Sequence, residues 1–375
     1  MQDRSNAQFL LFPGVKDDQL ARSVAKRMSW ELSPVKFVRF QGATELGGET
    51  KPEILCNVAN CHCVVIWSPI NTNDEFVQIL QLIDGLKTIG EASFVTLMVP
   101  CYPYARQDKS HGRRESVIAS LNARLLEESG MDRIVFLDIH ADQIEGFFRR
   151  AKVRGLWMDN IWIDYLAKRF ISLVPYLEIE PDKIVCLTPD EGALNINHRV
   201  ASALGHEVAV HRKKRDWAKE HEIASMGLTG KVEDCLIYIR DDLFASGGSL
   251  FAAAKAAKDN GAKYVIALVT HAIGFDKKDS DRTFPALLAE SGIDELITTN
   301  TLVAFLDRWQ EEPLLQQKVT ILDISAYLAR VINRLGAGET IRAMMKSVTH
   351  SELYDVLYAS EQIKEIERKL QEKRE

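Results

Sequence analysis

The sequence predicts an α/β protein whose mostly parallel sheets are flanked by helices, and two observations lead there. Short apolar runs alternate with helix-period segments along most of the chain. The runs are apolar throughout rather than at every second residue, as in strands covered on both faces. A length of 375 residues with 46% hydrophobic content allows two domains with real cores. The boundary between two similar α/β halves is expected near residues 150–160.

The strands expected in order are Phe9–Phe12, Val64–Trp67, Phe94–Val99, Ile134–Leu137, Ile184–Leu187, Val208–Val210, Leu236–Ile239, Tyr264–Val269 and Val303–Leu306. Phe76, Ile79, Leu80, Ile83 and Leu86 follow the helical repeat, and Val117, Leu121 and Leu125 do likewise. Residues 212–234 show no clear strand pattern, are rich in charge and contain Gly227 and Gly230, which reads as a mobile lid. From Ser325 the chain turns helical again. Ile363, Ile366 and Leu370 form a narrow apolar stripe in the charged tail Glu361–Glu375, read as a solvated terminal helix or as a short contact with another subunit.

A formal net charge of -6 argues against wholesale nucleic-acid binding and confines any anion site to a local pocket. The six cysteines sit mostly in or beside apolar strands, as buried thiols in a reducing compartment do. No signal peptide or membrane-length apolar run is found, so a soluble, cytoplasmic protein without a membrane partner is expected. Cys61-His62-Cys63 looks metal-like, but neighbouring strand residues point to opposite faces and cannot converge.

In parallel sheets, ligands sit beyond the carboxyl ends of strands, where Asp138, Asp190 and Asp241-Asp242 fall. Two adjacent carboxylates there can accept hydrogen bonds from a sugar's vicinal hydroxyls. Ser246-Gly247-Gly248-Ser249 then opens an alanine-rich helix whose N-terminal N–H groups favour a phosphate. Arg106 offers a planar fork for phosphate oxygens, and Gln107 can pair with a base or sugar edge. His140 stands just past a strand end, either as a structural residue or as a ligand. With Asp190 and several waters it would suffice for Mg²⁺, which keeps few protein ligands. The run Arg212-Lys213-Lys214-Arg215 would let a closing lid stabilise charge built up in phosphoryl transfer.

Tyr104-Ala105-Arg106-Gln107-Asp108, Asp138-Ile139-His140-Ala141-Asp142-Gln143-Ile144-Glu145-Gly146-Phe147-Phe148, Pro189-Asp190-Glu191-Gly192, Asp241-Asp242 with Gly247-Gly248, and Thr298-Thr299-Asn300-Thr301 occur in this order. Together they resemble the ribose-phosphate diphosphokinase (phosphoribosyl pyrophosphate synthetase) family, from about residue 60 to 345. The resemblance implies two type I phosphoribosyltransferase-like domains. Residues 1–157 with 325–346 would form the first, residues 158–324 the second, and residues 347–375 a helical extension. It implies transfer of the β,γ-diphosphoryl group of Mg-ATP to the C1 hydroxyl of ribose 5-phosphate, releasing AMP. It also implies a homo-oligomer built from dimers, commonly a hexamer. Phe40, Glu45, Arg106, Gln107 and Asp108 would bind ATP. His140 and Asp190 would hold magnesium. His140, Lys213 and Arg215 would be catalytic, with Arg212-Lys213-Lys214 as a second register for the basic pair. Asp241, Asp242, Ser246, Gly247, Gly248 and Ser249 would bind the sugar phosphate.

Two departures widen the expectation. The family usually carries an acidic residue where this chain has Ala245. Its nucleotide loop reads Phe-x-Asp-Gly-Glu, whereas Phe40-Gln41-Gly42-Ala43-Thr44-Glu45 lacks the aspartate in register. The same chemistry on ADP-ribose, feeding NAD rebuilding, is therefore a second expectation, and a catalytically silent regulatory relative is a third.

Overall fold

The computed structural model describes residues 8–40, 48–69, 72–110, 112, 114–215, 223–276, 282–339 and 341. Glu45, the stripe Ile363, Ile366 and Leu370 and the extension 347–375 lie outside them, as do residues 216–222 of the expected lid. The chain divides into two compact units. Among the described residues, the first takes the chain up to Leu156 with Thr299–Asp307 and those from Asp323 to 341, and the second takes Trp157–Thr298 and Arg308–Leu322.

The first unit is built from β1 (Phe9–Pro13), α1 (Gln19–Met28), β2 (Val35–Arg39), β3 (Thr50–Ile54), β4 (His62–Ile66), α2 (Thr72–Asp84), β5 (Phe94–Met98), α3 (Ile118–Glu128), β6 (Arg133–Leu137) and β7 (Lys152–Leu156). A five-stranded sheet runs in the order β1-β4-β5-β6-β7, parallel throughout. β2 and β3 form a separate antiparallel hairpin. All of β4 is buried, as a strand covered on both faces should be. Within it, His62 lies between the rings of Phe9 and Phe94 and bonds Thr96 Oγ1 at 2.8 Å, a core histidine rather than a metal ligand. Asp18 starts α1 by accepting from Ala21 N at 2.9 Å, and Leu20, Ala21, Val24 and Ala25 make its buried stripe.

The second unit begins with α4 (Asp159–Leu177) and β8 (Ile184–Thr188), then α5 (Leu194–Leu204), β9 (Glu207–Arg215), β10 (Ile223–Thr229), β11 (Leu236–Phe244), α6 (Gly248–Asp259), β12 (Tyr264–Ala272), α7 (Phe284–Glu290) and β13 (Glu295–Thr299). After it come α8 (Val303–Glu311), α9 (Pro313–Lys318) and β14 (Val319–Leu322). The last helix among the described residues, α10 (Ser325–Gly336), belongs to the first unit and packs there on α1, where Arg27 reaches Asp323 at 3.1 Å. The seven-stranded sheet runs β10-β9-β8-β11-β12-β13-β14. It is parallel from β9 to β13. β8 has β9 on one side and β11 on the other, so the strand order reverses there. Such a reversal opens a crevice beyond the strand ends.

Several expectations are corrected. Val303–Leu306 is the first turn of α8, and the strand is the preceding Glu295–Thr299. A short apolar run carries no period that separates strand from buried helix. The stretch expected to lack strands holds the end of β9 and all of β10, paired antiparallel with Arg215 opposite Ile223. A run of charges hides strand alternation. The buried face of α3 is Ala119, Asn122, Ala123 and Leu126, while Leu125 is exposed. β11 continues to Phe244, so Asp241 and Asp242 lie in its final residues rather than beyond them. The edge strand β7 and β3 carry too few apolar residues to announce themselves, and β2 and β14 are too short to show a period.

Candidate active site

In the first unit, the segments after β5 and β6 come together. These strands are neighbours, so the loops leaving their carboxyl ends are neighbours too. Tyr102 is buried against Phe136 and Phe148 and donates from its hydroxyl to Ala119 O at 2.9 Å. That anchor fixes the start of the loop. Tyr104 takes a left-handed conformation (φ 59°) and its hydroxyl donates to Asn73. Beyond it, Arg106 and Gln107 are exposed. Asp108 turns inward instead, and its carboxylate accepts from the Gln143 amide. Asp108 and Gln143 thus tie the Arg106 loop to the His140 segment. The turn is set by Asp138, buried with φ 36°, and His140 emerges exposed two residues later. Ile144 and Phe148 pin the rest of that segment to the core.

Phe40 follows β2, half exposed, with the Lys51 ammonium 5.8 Å from its ring centre. Arg39 pairs with Asp74 at 3.0 Å, which ties the hairpin to the start of α2.

In the second unit, Asp190 follows β8 and accepts from Ala193 N at 3.2 Å at the start of α5. Asp241 and Asp242 end β11 on the other side of the strand reversal. Burial, with Asp242 and then Asp190 close by, holds the Asp241 carboxyl well above the usual carboxylate range. Three carboxylates therefore crowd one crevice. The loop that follows turns at Gly247 (φ 77°), which is also the N-cap of α6 and has no side chain to cap it. A Cβ there would come within 2.5 Å of the Phe251 ring. At Gly248 a Cβ would meet nothing within 4 Å, so the helix N-terminus is open on that side. Backbone N–H groups there, flanked by the half-buried Ser246 and Ser249, suit a phosphate. Lys213 and Arg215 occupy positions two apart near the end of β9. Among the described residues no group of three or more His, Cys, Asp or Glu forms a metal cage.

Three side chains to which the sequence reading assigns no role hold this arrangement. Gln143 braces the first unit's loops. In the second, Asn197 and Asp159 hold Arg240, the residue before the acidic pair. The one signal for Asn197 is its place on the apolar stripe of α5 with Val200 and Ala201.

Comparison with known proteins agrees with this organisation. Residues 9–130 match the family described as the N-terminal domain of ribose phosphate pyrophosphokinase. Residues 198–346 match the phosphoribosyl synthetase-associated domain. Ribose-phosphate pyrophosphokinase 2 of Schizosaccharomyces pombe is 31% identical over 335 residues, covering 89% of this chain and 96% of its own length. The Mycobacterium leprae ribose-phosphate pyrophosphokinase is 32% identical over 350 residues, covering 92% and 95%. The crystal structure of phosphoribosylpyrophosphate synthetase from Mycobacterium smegmatis superposes with a TM-score of 0.73 at 30% identity, covering 88% of this chain and 98% of that one. With two family domains in succession and relatives matched over nearly their whole length, the chain belongs to the ribose-phosphate pyrophosphokinase family.

Proposed function

We propose that this protein transfers the β,γ-diphosphoryl group of Mg-ATP to the C1 hydroxyl of ribose 5-phosphate, giving phosphoribosyl pyrophosphate and AMP. The observation that carries the reading is the join of β11 to α6, where paired carboxylates run straight into an uncapped helix N-terminus. Asp241 and Asp242 accept from the ribose hydroxyls. The backbone of 246–249 holds the 5-phosphate. Arg106 and Gln107, exposed on a loop braced by Asp108, hold the nucleotide. The acceptor oxygen bonds to the β-phosphorus, the bond from that phosphorus to the α-side bridging oxygen breaks, and the bridging oxygen leaves on AMP. The hydroxyl proton is lost to solvent. Lys213 and Arg215 stabilise the charge that shifts in that exchange, most of the rate coming from alignment.

The imidazole of His140 in the first unit and the carboxylate of Asp190 in the second are donor types magnesium accepts, and each would hold it with water completing the shell. The crowded carboxylates around Asp241 would be eased by a nearby cation. When bound, magnesium neutralises phosphate charge.

A second reading keeps the chemistry and takes ADP-ribose as acceptor. Ala245 is buried beside the sugar loop and its carbonyl accepts from Phe275 N at 3.0 Å. Phe275 and Ile273 are both partly exposed there, which gives this rim an apolar character. AMP release from purified protein with Mg-ATP and either acceptor separates the two. Release with ribose 5-phosphate supports the first reading, release with ADP-ribose alone moves the assignment to the second, and release with neither acceptor rejects both.

A further inference from the structure

We propose that Asn197 is a positioning residue for the sugar site: its amide stands in for a strand neighbour, holds the backbone of Arg240, and keeps β8 and β11 apart where Asp241 and Asp242 follow. The inference rests on the ribose-phosphate reading above.

The ladder between β8 and β11 pairs Leu236 with Ile184, Ile237 with Val185 and Tyr238 with Cys186. Continued at that offset, Arg240 would stand opposite Thr188. The ladder instead stops at Tyr238 and Cys186, while on the other side of β8 Thr188 still pairs with Val210 of β9. The backbone of Arg240 finds Asn197: Arg240 N donates to Oδ1 at 3.1 Å, and Nδ2 donates to Arg240 O at 2.8 Å. In a parallel ladder a residue's N–H and C=O reach the same neighbour, so one side-chain amide reproduces both contacts.

The rest of the amide is also used. Nδ2 donates to Ala193 O at 2.8 Å, and Oδ1 accepts from the Cys186 thiol at 3.3 Å. An amide offers two donors and two acceptor lone pairs, and all four are occupied. Asn197 and Cys186 are both fully buried. Burial pushes the Cys186 thiol up to about 12, so it stays a donor. The next β8-side N–H on β11 belongs to Asp242, and it donates to Asp241 Oδ1 at 3.0 Å. Side chains thus finish two successive ladder positions of β11, and no strand closes over the crevice. The guanidinium of Arg240 is held separately by Asp159 and by Ile196 O at 3.2 Å. Both ends of the residue before the acidic pair are fixed.

The test is steady-state kinetics on the full chain with Mg-ATP and ribose 5-phosphate, well below the melting temperature. Asn197→Leu keeps the volume and removes the clamp. We expect the KM for ribose 5-phosphate to rise about tenfold. The kcat and the KM for Mg-ATP should stay within about twofold of wild type. Leu288→Ala, a core truncation in α7, is the control and should lower the melting temperature while leaving that KM unchanged. If Asn197→Leu does not fold, Asn197→Asp carries the same expectation, because it keeps shape and acceptor but loses both donations. A lowered melting temperature with the sugar KM unchanged would overturn the proposal, as would both KM values rising together. Wild-type protein that turns over no ribose 5-phosphate removes the functional reading and this inference with it.

Discussion

Asp18 does two jobs at one buried point. It caps α1 through Oδ1 and accepts from Ser68 N through Oδ2, each at 2.9 Å, with Glu75 nearby. Burial outweighs those hydrogen bonds and raises its carboxyl to about 6 from an ordinary 3.8. Below pH 4 the group is neutral whether the chain is folded or unfolded, so it contributes no pH dependence. Between pH 4 and 6 the unfolded chain loses the proton while the folded one keeps it, so stability falls as pH rises. Above 6 the loss is complete, at about 3 kcal/mol. Asp18→Asn should flatten the stability profile between pH 4 and 6, as read by denaturant unfolding at a series of pH values. An unchanged slope would reject the raised carboxyl. Arg240 shows the opposite solution for a buried charge. It is fully buried but paired with the equally buried Asp159, which Arg199 also reaches at 2.7 Å.

At the scale of elements, α6 is the part most exposed to a single change. Gly247 holds a left-handed turn and leaves no room beside Phe251. Gly247→Ala should cost at least about 1–2 kcal/mol from the backbone alone. It should also raise the KM for ribose 5-phosphate, because the turn proposed to bind the phosphate has to move. Thermal melting and kinetics together check this, and wild-type values for both would show that the turn tolerates a side chain. The turn was legible from its Ser-Gly-Gly-Ser spelling, as were the buried strands β4, β5, β8 and β12. Other elements were not. β9 ends in a run of charges where alternation was sought. α8 begins with the apolar run Val303–Leu306, too short to show a period. Asn197 looks in sequence like a polar break in an apolar stripe, because two of its four bonds go to the backbone of Arg240, more than 40 residues away.

Across the whole molecule, the two sheets differ in one respect that decides where chemistry can sit. The first runs outward from β1 to β7 without reversing, while the second reverses between β8 and β11. Only the second has a built-in crevice, and the first serves through loops after β5 and β6. The proposed turnover draws on residues of both units, so it is tested at this scale. Lys213→Ala should lower kcat by about 10²–10³ while both KM values change only a few-fold, because its charge is needed most as the diphosphoryl group moves. Weakened binding with kcat intact would reject that role.

The proposed grip on the sugar phosphate comes from backbone groups of 246–249, steadied from behind by the buried Asn197 amide. Ala245, Ile273 and Phe275 form a rim held through its backbone, Phe275 N donating to Ala245 O and Ile273 N to Phe244 O, so its apolar side chains take no part in those bonds. Descent with modification can rewrite such a rim one substitution at a time while the phosphate grip stays whole. New acceptors can thus be tried in a lineage without first losing the old chemistry.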